Sequence, residues 1–468
     1  MRSIVIHGHF YQPPRDDPWL GTIPREASAA PYHDWNERIE RESYAPVAAS
    51  LASLSFDFGP TLLAWMERYA AETYAAVLAA DRAGNAVAMP YHHPILPLSS
   101  RRDKETEVRW GIADFRRRFG REPEGMWLPE TAVDDETLDV LAAEGIRFTI
   151  LAPHQVERVP AGGRPGWHRT AAGRRIALFL YDGALAHDVA FGPLVRDPAA
   201  WIERLTAREG GNGGGGSADA PELLSLATDG ETFGHHHREG AATLARVLDA
   251  LSQRSDVRVD SFAAFLARHP PQEDVTLVAP SAWSCPHGVE RWRSDCGCRV
   301  HGDRATHQRW RAPLRKALDW LAGELHNVFE REGGTIFAAD PWTVRDIYGA
   351  VLGAPDETVT AFIGERLRHP DDRGALARAR ELLELERHAL RMFTSCGWFF
   401  DDIAGLESLI VLRSAARAIE LTGADAARLE AGLLERLALA PSNDPAVRTG
   451  RELYLKGVKA APARGVPT

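Results

Sequence analysis

The first 270 residues alternate short apolar runs with amphipathic stretches, a pattern typical of parallel β/α folds. The apolar runs predict eight strands, at 3–6, 55–58, 86–89, 125–128, 147–151, 175–180, 223–227 and 257–259. Between them, residues 60–82 and 134–144 carry apolar side chains at helical spacing. Each of these two stretches starts with a residue suited to the beginning of a helix. Seven or eight strands that alternate with helices predict an α/β barrel.

The strand pattern stops after about residue 303. Six amphipathic stretches follow and predict helices at 311–328, 342–352, 358–368, 374–392, 405–421 and 424–439. We therefore predict two domains. The first is a barrel over residues 1–302 with a glycine-rich surface insertion near 209–220, and the second is an all-helical domain over residues 303–468 packed on the barrel mouth.

Charge and composition exclude several classes of protein. Lys and Arg number 55 against 65 Asp and Glu, and the net charge of -10 argues against nucleic acid as a partner. Neither a signal peptide nor an apolar run long enough to span a membrane is visible, and the four cysteines are too sparse for a disulfide scaffold. We expect a cytoplasmic protein with no membrane partner, and the sequence leaves its oligomeric state open.

Most of the predicted strands end in histidine or acidic residues. Loops after the strands of a β/α barrel converge on one mouth, where catalytic groups lie. Solvation alone does not explain the pattern, because such loops can equally use Ser, Asn or Lys. We therefore predict a substrate-binding site that includes His7, His9, Gln12, Tyr91, His92, His93, Trp127, His154, Asp182, Glu231 and His235.

Two carboxylates stand out among the strand ends. Glu130 follows the fourth predicted strand and Asp229 follows the seventh, so the two face one another across the mouth of a closed or nearly closed barrel. Carboxyl groups about 5–5.5 Å apart suit a retaining glycosidase, in which one ionised carboxylate attacks and one protonated carboxyl assists the leaving oxygen. Trp127 offers either a face for stacking on a sugar or a packing residue.

These motifs resemble glycoside hydrolase family 57. The resemblance rests on HGHFYQPP from His7, MWLPET around Glu130 and LATDGETFGHH around Asp229. It implies an incomplete (β/α)7 barrel followed by a helical region, with Glu130 as nucleophile, Asp229 as general acid/base and His7 and His9 in the glycone subsite. It also implies action on α-glucans, by hydrolysis, transglycosylation or branching, with retention of configuration and without a metal or other cofactor.

A cysteine-rich segment follows the last predicted strand. Cys285, His287, Cys296, Cys298 and His301 supply enough ligands for zinc, but their spacing is not that of common zinc sites. We predict instead a loop without metal, stabilised by tryptophan packing and placed at the substrate. We accordingly add five residues from this loop and the helical domain to the predicted substrate site, namely Trp283, His287, Trp292, Trp398 and Asp402.

Two other functions stay open on the sequence. A metal-dependent carbohydrate deacetylase or mannosidase-like hydrolase would use the histidine-rich mouth to bind a divalent ion, with ligands drawn from His7, His9, His92, His93 and Asp229. A non-catalytic protein could hold a glycan on the same aromatic loops without cleaving it. The presence of both carboxylates argues against this last alternative.

Overall fold

The computed structural model describes residues 1–82, 84–207, 222–302 and 305–459, and these form two compact units. The first unit consists of Met1–Gln12, Arg25–Tyr91 and Phe115–Trp283. The second consists of Pro13–Pro24, His92–Asp114 and the chain from Ser284 onward. The glycine-rich insertion predicted near 209–220 lies outside the described residues.

This division differs from the boundary predicted at residue 303. Three segments predicted within the barrel domain lie in the second unit, namely 13–24, 92–114 and 284–302. Buried cations of the second unit explain the difference. Arg391 donates to the carbonyl oxygens of Pro14 and Asp16 at 2.9 and 2.8 Å, and Arg345 donates to the Asp103 carboxylate at 2.9 Å.

Among the described residues of the first unit, seven strands form two sheets. They are β1 (Arg2–Phe10), β2 (Ser55–Phe58), β3 (Phe148–Leu151), β4 (Gly166–Arg169), β5 (Arg175–Leu180), β6 (Leu223–Asp229) and β7 (Val257–Val259). Strand β1 is central, because it pairs in parallel with β2, β6 and β7. In the second sheet β3 pairs in parallel with β5, while β4, which the sequence did not predict, pairs with β5 in antiparallel.

Two predicted strands, 86–89 and 125–128, appear as isolated bridges rather than as full strands. Parallel bridges join Phe56 to Ala86, Ala88 to Met126, and Gly125 to Phe148, so these segments connect β2 to β3. At the other side, the backbone N–H of Asp182 after β5 donates to the Ser225 carbonyl of β6 at 2.7 Å. The predicted mixed α/β architecture is confirmed.

Helices flank these strands and make up the regular structure of the second unit. In chain order they are α1 (Trp35–Ile39), α2 (Ala45–Val47), α3 (Pro60–Tyr69), α4 (Ala71–Ala79), α5 (Arg101–Phe119), α6 (Asp135–Ala143), α7 (Gly183–Ala190), α8 (Pro198–Thr206), α9 (Gly240–Ser252), α10 (Phe262–Arg268), α11 (Arg311–Ile336), α12 (Pro341–Tyr348), α13 (Asp356–Gly364), α14 (Arg373–Arg391), α15 (Cys396–Phe399), α16 (Leu406–Leu421), α17 (Ala426–Leu437) and α18 (Gly450–Tyr454). The helix predicted over 60–82 is broken at Ala70, whose backbone is not helical (φ -139°, ψ 52°).

The helical character predicted for the C-terminal part is confirmed, since α11 to α18 follow one another there without an intervening strand in the described residues. The core of the first unit is built on fully buried strand residues such as Val5, Phe56 and Ile150. None of the helices that the structure describes is both long enough and apolar enough to cross a membrane.

Candidate active site

Strand β1 places two histidines on one face, because side chains two residues apart in a strand point the same way. Its register with β2 sets His7 beside Ser55 and His9 beside Asp57. Its register with β6 sets His9 beside Asp229 on the other side. Pairing of three strands therefore gathers the ionisable groups at their carboxyl ends.

A buried carboxylate, Asp57, holds both histidines. Its Oδ1 lies 3.0 Å from Nε2 of His7 and its Oδ2 lies 2.8 Å from Nδ1 of His9, while Nδ1 of His7 lies 3.0 Å from the Ser55 hydroxyl. Burial raises the pKa of Asp57, but the two histidines outweigh this effect and hold the pKa below its ordinary value. Burial lowers the pKa of His7 despite Asp57. Both histidine rings are thereby fixed in orientation.

Trp127 packs against these histidines and is fully buried. Its ring centroid lies 4.8 Å from that of His7 and 5.1 Å from that of His9, in stacked geometry. Of the two roles that the sequence left open for Trp127, sugar stacking and packing, the structure favours packing, because the indole is fully buried. His7 is also fully buried, so it contacts Asp57 and Trp127 rather than a ligand.

Glu130 lies in a strained turn three residues after this tryptophan. Its backbone is left-handed at φ 58°, and that of Thr131 is left-handed at φ 48°. Non-glycine residues in this region cost of the order of 1 kcal/mol and are held only by surrounding structure. Here Gln155 provides that support, since its amide donates to the Thr131 carbonyl at 2.7 Å and to the Ser281 hydroxyl at 3.1 Å.

Trp283 fixes the orientation of the Glu130 carboxylate. Its indole Nε1 donates to Oε2 of Glu130 at 3.1 Å, and its backbone N–H donates to the Glu130 carbonyl at 3.0 Å. The Trp283 ring also packs edge-on against Trp127, with centroids 5.2 Å apart. Glu130 and Trp283 are both partly exposed, so a ligand can reach them.

Asp229 is the exposed last residue of the otherwise largely buried strand β6. A side chain in this position is accessible to a ligand and yet lies among protein groups on most sides. Burial raises its pKa, His9 opposes this, and the charges of Glu231, Glu130 and Asp57 add to the increase, which brings the pKa to about 7. Asp229 therefore exchanges a proton near neutral pH, as a general acid/base must.

The surroundings of Asp229 carry more acids than cations. Burial lowers the pKa of His9, but the charges of Asp57, Asp229 and Glu231 outweigh it and raise the pKa to about 9. Glu231 is buried, which raises its pKa, and it accepts hydrogen bonds from the Tyr44 hydroxyl and from Gln12. His9 is therefore a cation at neutral pH beside several carboxyl groups.

Four other predicted substrate residues lie in the first unit with partners of their own. Tyr91 is buried, and Nε2 of His154 lies 3.1 Å from the Ala282 carbonyl. Asp182 accepts from the backbone N–H of Leu185 at the start of α7. His235 pairs with Glu42.

Six predicted substrate residues belong to the second unit instead, namely His92, His93, His287, Trp292, Trp398 and Asp402. His92 and His93 are buried, and their Nδ1 atoms lie 2.8 Å from Glu107 and 2.7 Å from Ser395. Trp292 and Trp398 are buried as well. The substrate-binding role predicted for these two tryptophans and two histidines is therefore corrected, because all four side chains are buried by packing and internal hydrogen bonds.

Asp402 and His287 have local roles. The Asp402 carboxylate accepts hydrogen bonds from Ser442 and Asn443 at 2.6 and 2.5 Å, which fixes the segment before α18. His287 is exposed and lies beside three cysteines. Neither contact indicates a sugar.

The metal-centred alternative requires free imidazole nitrogens, and His7 offers none for a metal because both its ring nitrogens bond to Ser55 and Asp57. The ligands proposed for that metal, drawn from His7, His9, His92, His93 and Asp229, do not form a convergent group among the described residues. In the described part of the chain, the ligand atoms of at least three His, Cys, Asp or Glu side chains converge only around Cys285, in the second unit.

Sequence reasoning missed Asp57, Tyr44 and Gln155. Asp57 lies inside β2, whereas the predicted site drew mainly on residues that follow the predicted strands. The signal was the alternation in that strand, where Ser55 and Asp57 share a face. Tyr44 and Gln155 act through contacts with residues far away in the sequence, and no local pattern marks them.

Glu130 follows a segment that is bridged in parallel and Asp229 ends a parallel strand, a placement of carboxyl groups that is typical of glycosidase-like enzymes. A family model described as "Glycosyl hydrolase family 57" matches residues 37–277, more than half of the chain. The chain belongs to this family, as its motifs led us to expect. A second model, "Domain of unknown function (DUF3536)", matches residues 306–464.

Relatives of the chain include two curated proteins. It is 20% identical over 270 residues to a 4-alpha-glucanotransferase of Thermococcus litoralis, covering 53% of this chain and 39% of the relative. It is 21% identical over 299 residues to an alpha-amylase of Pyrococcus horikoshii, covering 61% of this chain and 44% of the relative. The chain thus spans less than half the length of these relatives.

Among solved structures, an exo-type maltose-forming amylase from Pyrococcus sp. ST04 shares the fold. It superposes with a TM-score of 0.76 at 14% sequence identity, covering 97% of this chain and 91% of that one. At this identity the likeness concerns the fold alone.

Proposed function

We propose that the protein is a retaining enzyme that acts on α-glycosidic bonds of α-glucan oligo- or polysaccharides, by hydrolysis or by transfer. One observation carries the proposal: the charge of Glu130 acts on Asp229, whose pKa is raised to about 7. Membership of glycosyl hydrolase family 57, and the names of relatives that are an amylase and a glucanotransferase, support the same reaction class.

The fold proposal is an incomplete (β/α)7 barrel. Five strands, β1, β2, β3, β5 and β6, together with the bridged segments near residues 86 and 125, make seven parallel members. Between β5 and β6 the support is one backbone hydrogen bond, from Asp182 to Ser225. A barrel open at that point is consistent with these pairings.

In the first step the Glu130 carboxylate attacks the anomeric carbon, and Asp229 protonates the departing glycosidic oxygen. A glycosyl ester on Glu130 results, and the configuration at the anomeric carbon is inverted in this step. The Trp283 N–H donates to Oε2 of Glu130 at 3.1 Å and so orients the attacking carboxylate. His9 supplies a positive charge beside Asp229.

In the second step Asp229 removes a proton from water or from a sugar hydroxyl, which attacks the ester from the opposite face. Esterification of Glu130 removes the negative charge that helps to raise the pKa of Asp229. The pKa of Asp229 then falls, so that the residue stays ionised after it has given up its proton and can act as a base. The same pair of residues thus performs both half-reactions.

Incubation with a panel of α-linked oligosaccharides, followed by chromatography of the products, tests the activity. Shorter products indicate hydrolysis, longer products transfer, and branch-containing products branching. The control is Glu122→Gln, since Glu122 is an exposed carboxylate of the same unit paired with Arg116. Absence of any product from every α-glucan tested would contradict the proposal.

Azide rescue assigns the two carboxylates separately. With an aryl α-glycoside that is a substrate, Glu130→Gly should give the β-glycosyl azide, because azide attacks directly from the vacated face. Asp229→Ala should give the α-glycosyl azide, because azide opens the glycosyl ester on Glu130. Products of the opposite configuration would reverse the assignment, and unimpaired turnover of either variant would refute it.

A further inference from the structure

Four metal-ligand side chains converge in the second unit, in the segment that the sequence predicted to be metal-free. Cys285, His287, Cys296 and Cys298 each offer a ligand atom, and these four atoms all lie within 4.8 Å of one another. His301, which the sequence analysis grouped with them, is not a member. Its backbone N–H donates instead to the Asp401 carboxylate at 2.9 Å.

Two of the separations match those that a tetrahedral zinc ion imposes. Zinc at about 2.3 Å from sulfur and about 2.0–2.1 Å from nitrogen sets two sulfur ligands about 3.8 Å apart and a sulfur and a nitrogen ligand about 3.6 Å apart. Here Sγ of Cys298 lies 3.8 Å from Sγ of Cys285 and 3.6 Å from Nδ1 of His287. A disulfide between Cys285 and Cys298 would require their sulfurs to lie about 2.05 Å apart. It would also leave the nearby thiol of Cys296 without a role.

The unusual spacing of Cys296 and Cys298 is accommodated by the residue between them. Gly297 has a left-handed backbone with φ 82°, which residues with a side chain rarely adopt. The chain turns there, and both thiols reach the same point. The awkward Cys-Gly-Cys spacing, which argued against zinc in the sequence, is therefore no obstacle in the fold.

Two buried arginines suit the charge of such a site. Three thiolates and one histidine around Zn²⁺ leave a net charge of about −1. Arg291 donates to the Ser284 carbonyl at 3.1 Å, and Arg311 donates to the Cys298 carbonyl at 3.0 Å, so a guanidinium lies at each end of the cysteine segment. Both also donate to the Phe399 carbonyl, which ties this segment to α15.

From this geometry we infer that Cys285, His287, Cys296 and Cys298 bind one structural zinc ion. The fourfold protein coordination leaves no open position for a reacting water, as in other structural sites. The ion joins the two ends of a segment that has little regular secondary structure of its own. Removal of the zinc should therefore lower the melting temperature of the protein.

Metal analysis of the full chain, expressed without an affinity tag of histidines and purified without chelator, tests the inference. We expect about one zinc per chain in the wild type and in Cys396→Ser, which alters the cysteine outside the group. Cys298→Ser and His287→Asn should lose at least about nine tenths of it. Zinc that is absent from the wild type, or retained by both ligand variants, overturns the inference.

Cobalt substitution keeps the test valid if a ligand variant fails to fold. Wild-type protein reloaded with Co²⁺ should show thiolate-to-cobalt charge transfer and the strong ligand-field bands of a tetrahedral site. Weak octahedral bands, iron in place of zinc, or a mass lower by two hydrogens, which indicates a disulfide, would each overturn it. None of these readouts depends on the reaction proposed above.

Discussion

Each unit contains a group of histidine and acidic side chains, but their charges are balanced in only one of the two groups. In the second unit Nη1 of Arg345 lies 2.7 Å from Glu386 and 2.9 Å from Asp103. His326 lies 3.0 Å from Glu386 and 3.4 Å from Asp103. Two cations thus face two carboxylates, and we call this group the balanced network.

The effect on ionisation is opposite in the two units. In the balanced network burial raises the pKa of both carboxyl groups, but His326 and Arg345 outweigh it and hold the pKa of Glu386 and Asp103 below ordinary values. The pKa of His326 rises to about 10, since the two acids outweigh its burial. In the first unit His9 faces Asp57, Asp229 and Glu231, and the pKa of Asp229 rises.

This difference shows what makes a buried carboxyl group reactive. Desolvation raises the pKa of both Asp229 and Glu386, so desolvation alone does not decide the direction of the shift. A surplus of acids over cations does, because the last carboxylate to ionise meets the charge of the others. The balanced network stabilises structure, whereas the surplus in the first unit keeps a proton available near neutrality.

The strongest test removes an acid from each group. Asp229→Asn should lower kcat by roughly 10²–10⁴-fold, because general acid/base catalysis is lost. The conservative change Glu386→Gln should leave kcat at the same temperature nearly unchanged in the folded fraction. Steady-state kinetics on one α-glucan, with circular dichroism as a control of folding, measures both, and an equal loss in the two variants would contradict the distinction.

The free energy of unfolding should respond in the opposite order, with the larger loss in Glu386→Gln. Glu386→Gln leaves Arg345 and His326 with a single carboxylate, which should lower the free energy of unfolding by about 3 kcal/mol. For the wild type, the contribution of Glu386 is present above its unfolded pKa of 4.5 and is lost as the pH falls. That of His326 is present below its unfolded pKa of 6.5 and is lost as the pH rises towards about 10.

Denaturant unfolding over a range of pH measures this prediction. The stability difference between wild type and Glu386→Gln should be greatest between about pH 4.5 and 6.5, where both contributions are present. A difference that does not vary with pH would indicate a packing effect instead. Asp425→Asn is a suitable control, because Asp425 is a surface residue paired with Arg428.

The pH profile of kcat/KM sharpens the comparison within the first unit. The alkaline limb should lie near the Asp229 pKa of about 7, since activity falls as the acid loses its proton. Glu231→Gln removes a negative charge and should move this limb down by about half a pH unit. His9→Asn removes a positive charge and should move it up by about one unit. Shifts in the same direction would contradict the electrostatic account.

The smallest expected effect is a gain of stability in the inactive variant. The pKa of Asp229 is raised on folding, so ionisation of this carboxyl disfavours the folded state increasingly as the pH rises from its unfolded value of 3.8 through about 7. Asp229→Asn should therefore be more stable than wild type above pH 7, by roughly 1 kcal/mol because solvent screens the exposed group. At pH 4 the melting temperatures should agree.

The sequence predicted the elements that local patterns define. Strands β2, β5 and β7 have the predicted bounds, and Glu130 and Asp229 stand out as candidates because each lies two residues after a predicted strand. It could not predict that Asp57 bonds His7 and His9, because this contact depends on the register of β1 with β2. For the same reason the burial of Trp127 and the assignment of His92 to the second unit were not visible locally.

The central position of β1 has a consequence for the order in which the protein is made. This strand precedes the other described strands in the chain, yet one of its partners, β6, begins only at Leu223. His9 therefore waits for more than half of the first unit to be synthesised before it meets Asp229. The edge of β1 that later pairs with β6 is exposed to aggregation during this interval. The charge arrangement on which the proposed reaction depends can thus arise only after the chain has been synthesised as far as Asp229.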